Sequence, residues 1–360
     1  MGMLLLLASC KQYNLSVGGS MERIGIAPDQ HGFVCIPSGR PFRPWGNNYG
    51  NHGGLLEDFW ASDWRTVEED FHEMKLMGAN VVRVHLQFGK FMLKPDRLDA
   101  DSLNRLGRLL ELAERTGLHL DLTGLACYRQ SGVPAWYDQL SEAARWKAQA
   151  RFWEGIAAEC AHSPAVFCYD LINEPVVATE KRKAGDWYTG ALGGYNFVQF
   201  INLEPAGRSM EQIALPWIDE MKQAIRKHDR RHLITAGLLP FNPGRRILEQ
   251  FDFVSVHIYP EAGKTGQAMT TLRQFAIGRP VVIEETFPLS CSAAELKIFL
   301  LDSRQYACGW IGHYNGESCA ELEALEKSGK ITLQQSIWLV WQRLFQQMGP
   351  AMSAAGPCPK

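Results

Sequence analysis

Two stretches of this sequence end apolar runs in carboxylates, and both read as strands leading to a reactive edge. One is Tyr169-Asp170-Leu171-Ile172-Asn173-Glu174-Pro175, where Pro175 halts the run directly after Asn-Glu. The other is Pro280-Val281-Val282-Ile283-Glu284-Glu285. Two carboxylates facing each other across a cleft are what glycoside hydrolysis needs. One attacks the anomeric carbon or activates water, and the other protonates the departing oxygen. A lone Glu after a strand is ordinarily a solvated loop residue or a charge at a helix start. Two such sites, closing two separate strands, are much harder to ascribe to chance.

Carboxylates this far apart in sequence need a rigid frame. Short Val/Ile/Leu-rich strand patterns lie at Arg43–Asn47, Asn80–His85, His119–Thr123, Val166–Ile172, His232–Ala236, Phe251–His257, Val281–Glu284 and Gly309–His313. Helical patterns fall between most of them, at about 63–77, 101–116, 141–161, 208–228, 265–277 and 292–305, with a last one near 332–347. The strands look apolar on both faces, as in a parallel sheet buried on both sides. Eight strands alternating with helices predict a single-domain (β/α)8 TIM barrel, whose site lies at the C-terminal strand ends. Residues 23–44 read as a short N-terminal hairpin, and 176–207 as an enlarged fourth βα loop rich in Gly and aromatics. The expected layout is a leader over 1–22, the catalytic barrel over 23–348 and a tail over 349–360.

A doubly wound sheet is the competing architecture, but no G-x-G-x-x-G follows the first strand. Gly263-Lys264-Thr265 imitates the end of a phosphate loop, yet Ile258 stands where the upstream Gly is required. The 360 residues are 46% hydrophobic and 21% charged, which excludes a disordered chain, a collagen-like repeat and a coiled coil. With a net charge of -2 and no long basic run, nucleic acid is not an expected partner. The 11 Trp suit a protein that stacks flat ligand faces.

Nine cysteines show no C-x-x-C and no zinc spacing, so neither a metal site nor a disulfide framework is claimed. Cys168 and Cys308 fall in strand-like runs, where a buried free thiol is the commoner state. The apolar run Met3–Ala8 is too short to span a bilayer and lacks a basic start. Leu7-Ala8-Ser9-Cys10 nevertheless resembles the lipobox of bacterial lipoproteins. That reading implies a lipid anchor at Cys10 and export to the periplasm or cell surface; the plainer one is a hydrophobic start with a chance Cys.

The strand ends together resemble glycoside hydrolase family 5, in the clan of retaining (β/α)8 glycosidases, over nearly all of the chain after the leader. The resemblance implies that Glu174 is the acid/base and that Asn173 before it holds the sugar 2-hydroxyl. It places the nucleophile at Glu285, five residues after Pro280; Glu284 is the alternative, and strand alternation says the two cannot point the same way. Arg83, in Asn80-Val81-Val82-Arg83-Val84, matches the Arg that stands beside the nucleophile. His257 and Tyr259, in Val254-Ser255-Val256-His257-Ile258-Tyr259-Pro260, match the sixth-strand pair that contacts sugar and nucleophile. Trp310 or, in a shifted register, His313 would supply the eighth-strand contact under the sugar, and Trp45, Asn47 and Asn48 end the first strand.

Aromatics at 136, 137, 187, 188, 195 and 197 are further candidates for sugar subsites. The sequence departs from the family at the third strand, where Thr123 replaces a common His, and after the nucleophile, where Thr286 and Phe287 follow. The implied activity is retaining hydrolysis of a β-glucan, β-mannan or related glycoside, with carbohydrate as the partner and no cofactor. A non-catalytic carbohydrate-binding barrel and a transglycosylase using the same two Glu are the alternatives. A metal-dependent barrel hydrolase would need clustered His, and no H-x-H occurs.

Overall fold

The computed structural model describes residues 20–354 and Cys358. The leader and the Cys10 lipidation reading concern residues 1–19 and so lie outside the described residues. Eight parallel strands close into a barrel: β1 (Trp45–Tyr49), β2 (Val81–Gln87), β3 (His119–Ala126), β4 (Val166–Asn173), β5 (Leu233–Leu238), β6 (Val254–His257), β7 (Val281–Glu285) and β8 (Gly309–Tyr314). Each expected strand is present, shifted by a few residues at most. This is the (β/α)8 fold.

The helices begin where side chains can satisfy free backbone N–H groups. Asp63, Asp99, Ser141, Ser209 and Ser292 each accept from a backbone N–H in the first turn of the helix they open. Helix Ala100–Thr116 shows the packing rule. It buries Leu106, Leu109, Leu110 and Ala113 along one stripe and ends at Gly117 in the left-handed conformation. The last helix, Leu333–Met352, runs past residue 348 and buries Gly349 and Met352. No helix among the described residues is long and apolar enough to cross a membrane.

The floor of the barrel is sealed by a three-stranded antiparallel sheet, Arg23–Ile26, Phe33–Ile36 and Pro41–Phe42. Its Phe33 ring meets Phe167 and Phe253 edge-on, each at 5.2 Å. The enlarged fourth loop is more ordered than the sequence suggested. It carries its own sheet, in which Pro175–Val176 pairs with Tyr195–Phe200 and that strand with Tyr188–Leu192.

Inside the barrel the expectation of apolar faces fails above the floor. The interior holds Arg83, Asp121, Asp170 and Glu284, all fully buried, with Thr123, Thr235, Ser255 and His257 around them. Barrel interiors are usually filled by branched aliphatics. Desolvating four ionisable groups is costly unless they pair, so this interior is organised for chemistry at its upper edge.

Candidate active site

Arg83 organises the site from the centre of β2. Its guanidinium donates to Asp170 at 2.6 Å, Asn48 Oδ1 at 2.8 Å, Asn173 Oδ1 at 3.0 Å and Glu285 at 2.5 Å, and lies 3.4 Å from Glu284. One planar donor therefore ties β1, β4 and β7 together. Asp170 in turn accepts from Thr123 Oγ1 at 2.7 Å and Gly237 N at 2.8 Å.

Glu174 and Glu285 face one another across the top of this cluster. Each side chain is slightly exposed, at 13% and 12%, and an oxygen of each lies within 4.8 Å of the other and of His257. Glu174 sits at φ 47, a strained conformation for a side-chain-bearing residue. The bond from its N–H to Gly237 O, at 2.8 Å, holds it there. Tyr259 Oη donates to Glu285 at 2.7 Å and accepts from His313 Nε2 at 2.9 Å.

The two neighbouring glutamates of β7 do not divide between inside and outside as alternation required. A bulge opposes His257 to Glu285 instead of Glu284, so both carboxylates turn toward Arg83. They differ in depth. Glu284 is completely buried, accepting from Ser255 Oγ at 2.8 Å, whereas Glu285 lines the cleft. Nothing larger than glycine fits beneath them at 237, where a Cβ would stand 2.7 Å from both Glu284 Oε2 and His257 Nε2.

The charges follow from these contacts. Burial raises the Glu285 carboxyl, but His257 and Arg83 beside it outweigh that and hold it well below the ordinary range, so it stays anionic. Burial likewise pushes the His257 imidazole down, and Glu285, Glu174 and Glu284 hold it up at about 10. His313 is pushed down to about 4 by burial and is neutral. Among the described residues, no N–H or O–H donor faces the Asp121 carboxyl. Burial and the adjacent Glu284 and Asp170 push that carboxyl well above the ordinary carboxylate range.

The raised His257 predicts a pH dependence of stability. Its folded pKa lies above the ordinary value of about 6.5. Its contribution is therefore complete below that pH and is lost as pH rises toward about 10. Urea denaturation should show stability falling across that window, with a shallower fall in His257→Gln. An equal slope in the two proteins would rule this account out.

Three of the site residues expected from sequence are elsewhere. Trp45, Asn47 and Trp310 occupy outward positions of β1 and β8 and face the helices. Trp45 stacks on Phe345 at 4.5 Å, and Trp310 Nε1 donates to Ser303 Oγ at 2.8 Å. Asn47 is fully buried, and neither amide atom has a partner among the described residues. The inward residue of β1 is Asn48, which donates to Glu284 O and Gly312 O and accepts from Arg83 and His85. His313 is the inward residue of β8 and lines the cleft.

His85 and Tyr128 were not anticipated. Tyr128 Oη lies 2.7 Å from His85 Nδ1, and both line the cleft. The cleft, about 510 Å³, is completed by Tyr195, Phe197, Phe287 and Trp338. Trp136, Tyr137 and Trp187 pack away from it, Tyr137 against Phe88 and Trp187 under Arg145. Asp121, Asp170 and Glu284 also converge closely enough to hold a cation, but the Arg83 guanidinium already fills that role for two of them.

Comparison with known proteins agrees with this geometry. The family model described as Cellulase (glycosyl hydrolase family 5) matches residues 36–283. The chain belongs to glycosyl hydrolase family 5. No curated protein matches it. Among solved structures, the exo-β-1,4-mannosidase of Opitutaceae bacterium strain TAV5 superposes with a TM-score of 0.65 at 18% identity, over 91% of this chain and 62% of that one. The chain thus spans less than two thirds of that enzyme. A GH5_18 protein from Streptomyces cattleya, in complex with Manβ1-4GlcNAc, gives 0.62 at 15% identity over 88% and 83%. The β-1,4-mannanase of Aplysia kurodai gives 0.61 at 14%, over 94% and 99%. At these identities the likeness is one of fold.

Proposed function

We propose that the protein is a retaining β-glycosidase acting on β-mannosidic linkages. The observation that carries the reaction class is the pairing of Glu174 and Glu285 across one cleft, with oxygens within 4.8 Å. That separation suits direct attack by one carboxylate, since retaining pairs stand about 5–5.5 Å apart and inverting pairs leave room for water. The choice of sugar rests on the three fold neighbours, described as a β-mannosidase, a β-mannanase and a protein holding Manβ1-4GlcNAc.

In this mechanism Glu285, kept anionic by His257 and Arg83, attacks the anomeric carbon while the bond to the leaving oxygen breaks. Glu174 gives its proton to that oxygen. Water then enters, Glu174 takes one of its protons, and the hydroxide equivalent displaces Glu285 with a second inversion. In this reading Asn173 bonds the sugar 2-hydroxyl, a role supported by its fixed position between Arg83 and Phe197 O.

The test is hydrolysis of aryl β-mannosides, β-glucosides and β-N-acetylglucosaminides, with the first-formed anomer followed by proton NMR. The β-anomer should appear first, with mannosides preferred. Glu174→Ala should lose about 10²–10⁴-fold on poor leaving groups, the usual worth of general acid catalysis, and far less on a dinitrophenyl glycoside. An α-anomer appearing first, or equal losses on both leaving groups, would refute the assigned roles.

A further inference from the structure

The loop after β4 does more than lengthen the path to the next helix. Its hairpin is bonded down to the end of β3 and the segment after it, with Asn196 N donating to Tyr128 O at 2.8 Å and Gln199 Nε2 to Leu125 O at 2.9 Å. Its tip reaches the loop after β1, where Tyr195 Oη donates to Gly53 O. Arg129, from the loop after β3, donates to the same carbonyl at 2.8 Å and to Tyr195 Oη, and lies 4.5 Å over the Tyr195 ring. Three loops are thus clasped over β2 and β3.

The clasp separates two depressions. On its inner side, Gly53, Tyr195 and Phe197 line the catalytic cleft. On its outer side, Arg129 lines a second basin of about 790 Å³ that also contains Asp58, Asp63 and Glu69. Gly54 and Tyr314 border both. Without the clasp, the cleft would continue past β1 as an open groove. An enzyme that cuts within a chain needs a groove open at both ends, because the polymer must leave on each side of the scissile bond.

We infer that the Gly53–Tyr195–Arg129 clasp closes the glycone end of the cleft, making the enzyme exo-acting: it removes one terminal sugar at a time from the non-reducing end. This rests on the glycosidase reading above and adds the position of the cut. The glycone is assigned to the closed end because the polar groups beside Glu285 lie there. Asn48, His85 and Tyr128 form a bonded set next to the nucleophile and under the clasp. A sugar carried covalently on Glu285 finds its hydrogen-bond partners in that corner and has no room to extend beyond it.

The experiment uses β-1,4-linked mannan and glucan pentasaccharides labelled with heavy oxygen at the reducing end, with products sized by mass spectrometry. The wild type should first release an unlabelled monosaccharide and a labelled tetrasaccharide. Tyr195→Ala combined with Arg129→Ala should produce labelled di- and trisaccharides at about tenfold or more above the wild-type level. Arg129→Ala alone, which does not face the cleft, should keep aryl-glycoside turnover within about threefold and report that the fold is intact.

Internal cuts by the wild type, or a labelled monosaccharide as its first product, would overturn the inference while leaving the glycosidase reading standing. So would a folded double variant, active on aryl glycosides, that still trims single sugars. No turnover of any aryl or oligosaccharide substrate by the wild type would remove the glycosidase reading and the inference together.

Discussion

Glu285→Ala is expected to lose on the order of 10⁴-fold or more in turnover of an aryl β-glycoside, the scale on which removal of a nucleophile acts. Azide should restore a measurable part of it. The small anion would enter the space vacated by the carboxylate, attack the anomeric carbon from that face and yield an α-glycosyl azide with a single inversion. Glu284→Ala should behave differently. Glu284 is fully buried beneath the cleft and bonded to Ser255 and His257, so azide has no route to the reacting carbon through its place. Azide rescue of Glu284→Ala, with none for Glu285→Ala, would exchange the roles of the two residues.

Arg83→Met should have the largest effect on stability. The guanidinium is fully buried against Asp170, Glu284 and Glu285, and losing it leaves those carboxylates without their common cation. Removing one partner of a buried ion pair costs about 3–5 kcal/mol. The cost should depend on pH with a definite sign. Without Arg83 the freed carboxyls bind protons more readily, so acidification relieves the variant while the wild type gains nothing comparable. The wild-type advantage in urea midpoint should therefore be larger at pH 8 than at pH 5. A small, pH-independent difference would mean that the His257 imidazolium already balances the cluster.

Much of this architecture was legible because hydrophobic period and punctuation agree along the chain. The eight strands, seven of the helices and the two carboxylate-bearing strand ends all stand out at that level, while the nine-residue helix Cys319–Lys327 does not. What remained hidden depends on which way a fully buried strand faces. All five residues of β1 are buried, so no polar/apolar alternation marks its inner side, and Asn47 was chosen where Asn48 is the inward residue. In β8 a usable signal was present. Gly312 is small because a Cβ there would meet Trp341 of the last helix at 1.9 Å. That places Gly312 outward with Trp310 and leaves His313 facing the cleft.

The bulge in β7 has no sequence mark, and it alone lets both glutamates reach Arg83. The hairpin in the fourth loop was readable. Gly193-Gly194 lies between two runs rich in β-branched and aromatic residues, a turn signature that its position in a long loop obscured. His85 and Tyr128 escaped because they stand on separate segments, 43 residues apart, and meet only in the folded barrel.

The three-stranded sheet that plugs the barrel floor also fixes an orientation. Its exposed turn at residues 37–40 lies at the end of the barrel opposite the carboxylates. A bead, electrode or carrier coupled at that turn would hold the molecule with its mouth turned outward. Immobilised this way, the protein presents its catalytic face to dissolved saccharides without a spacer, whereas coupling through the hairpin tip near Gly193 would press that face against the support.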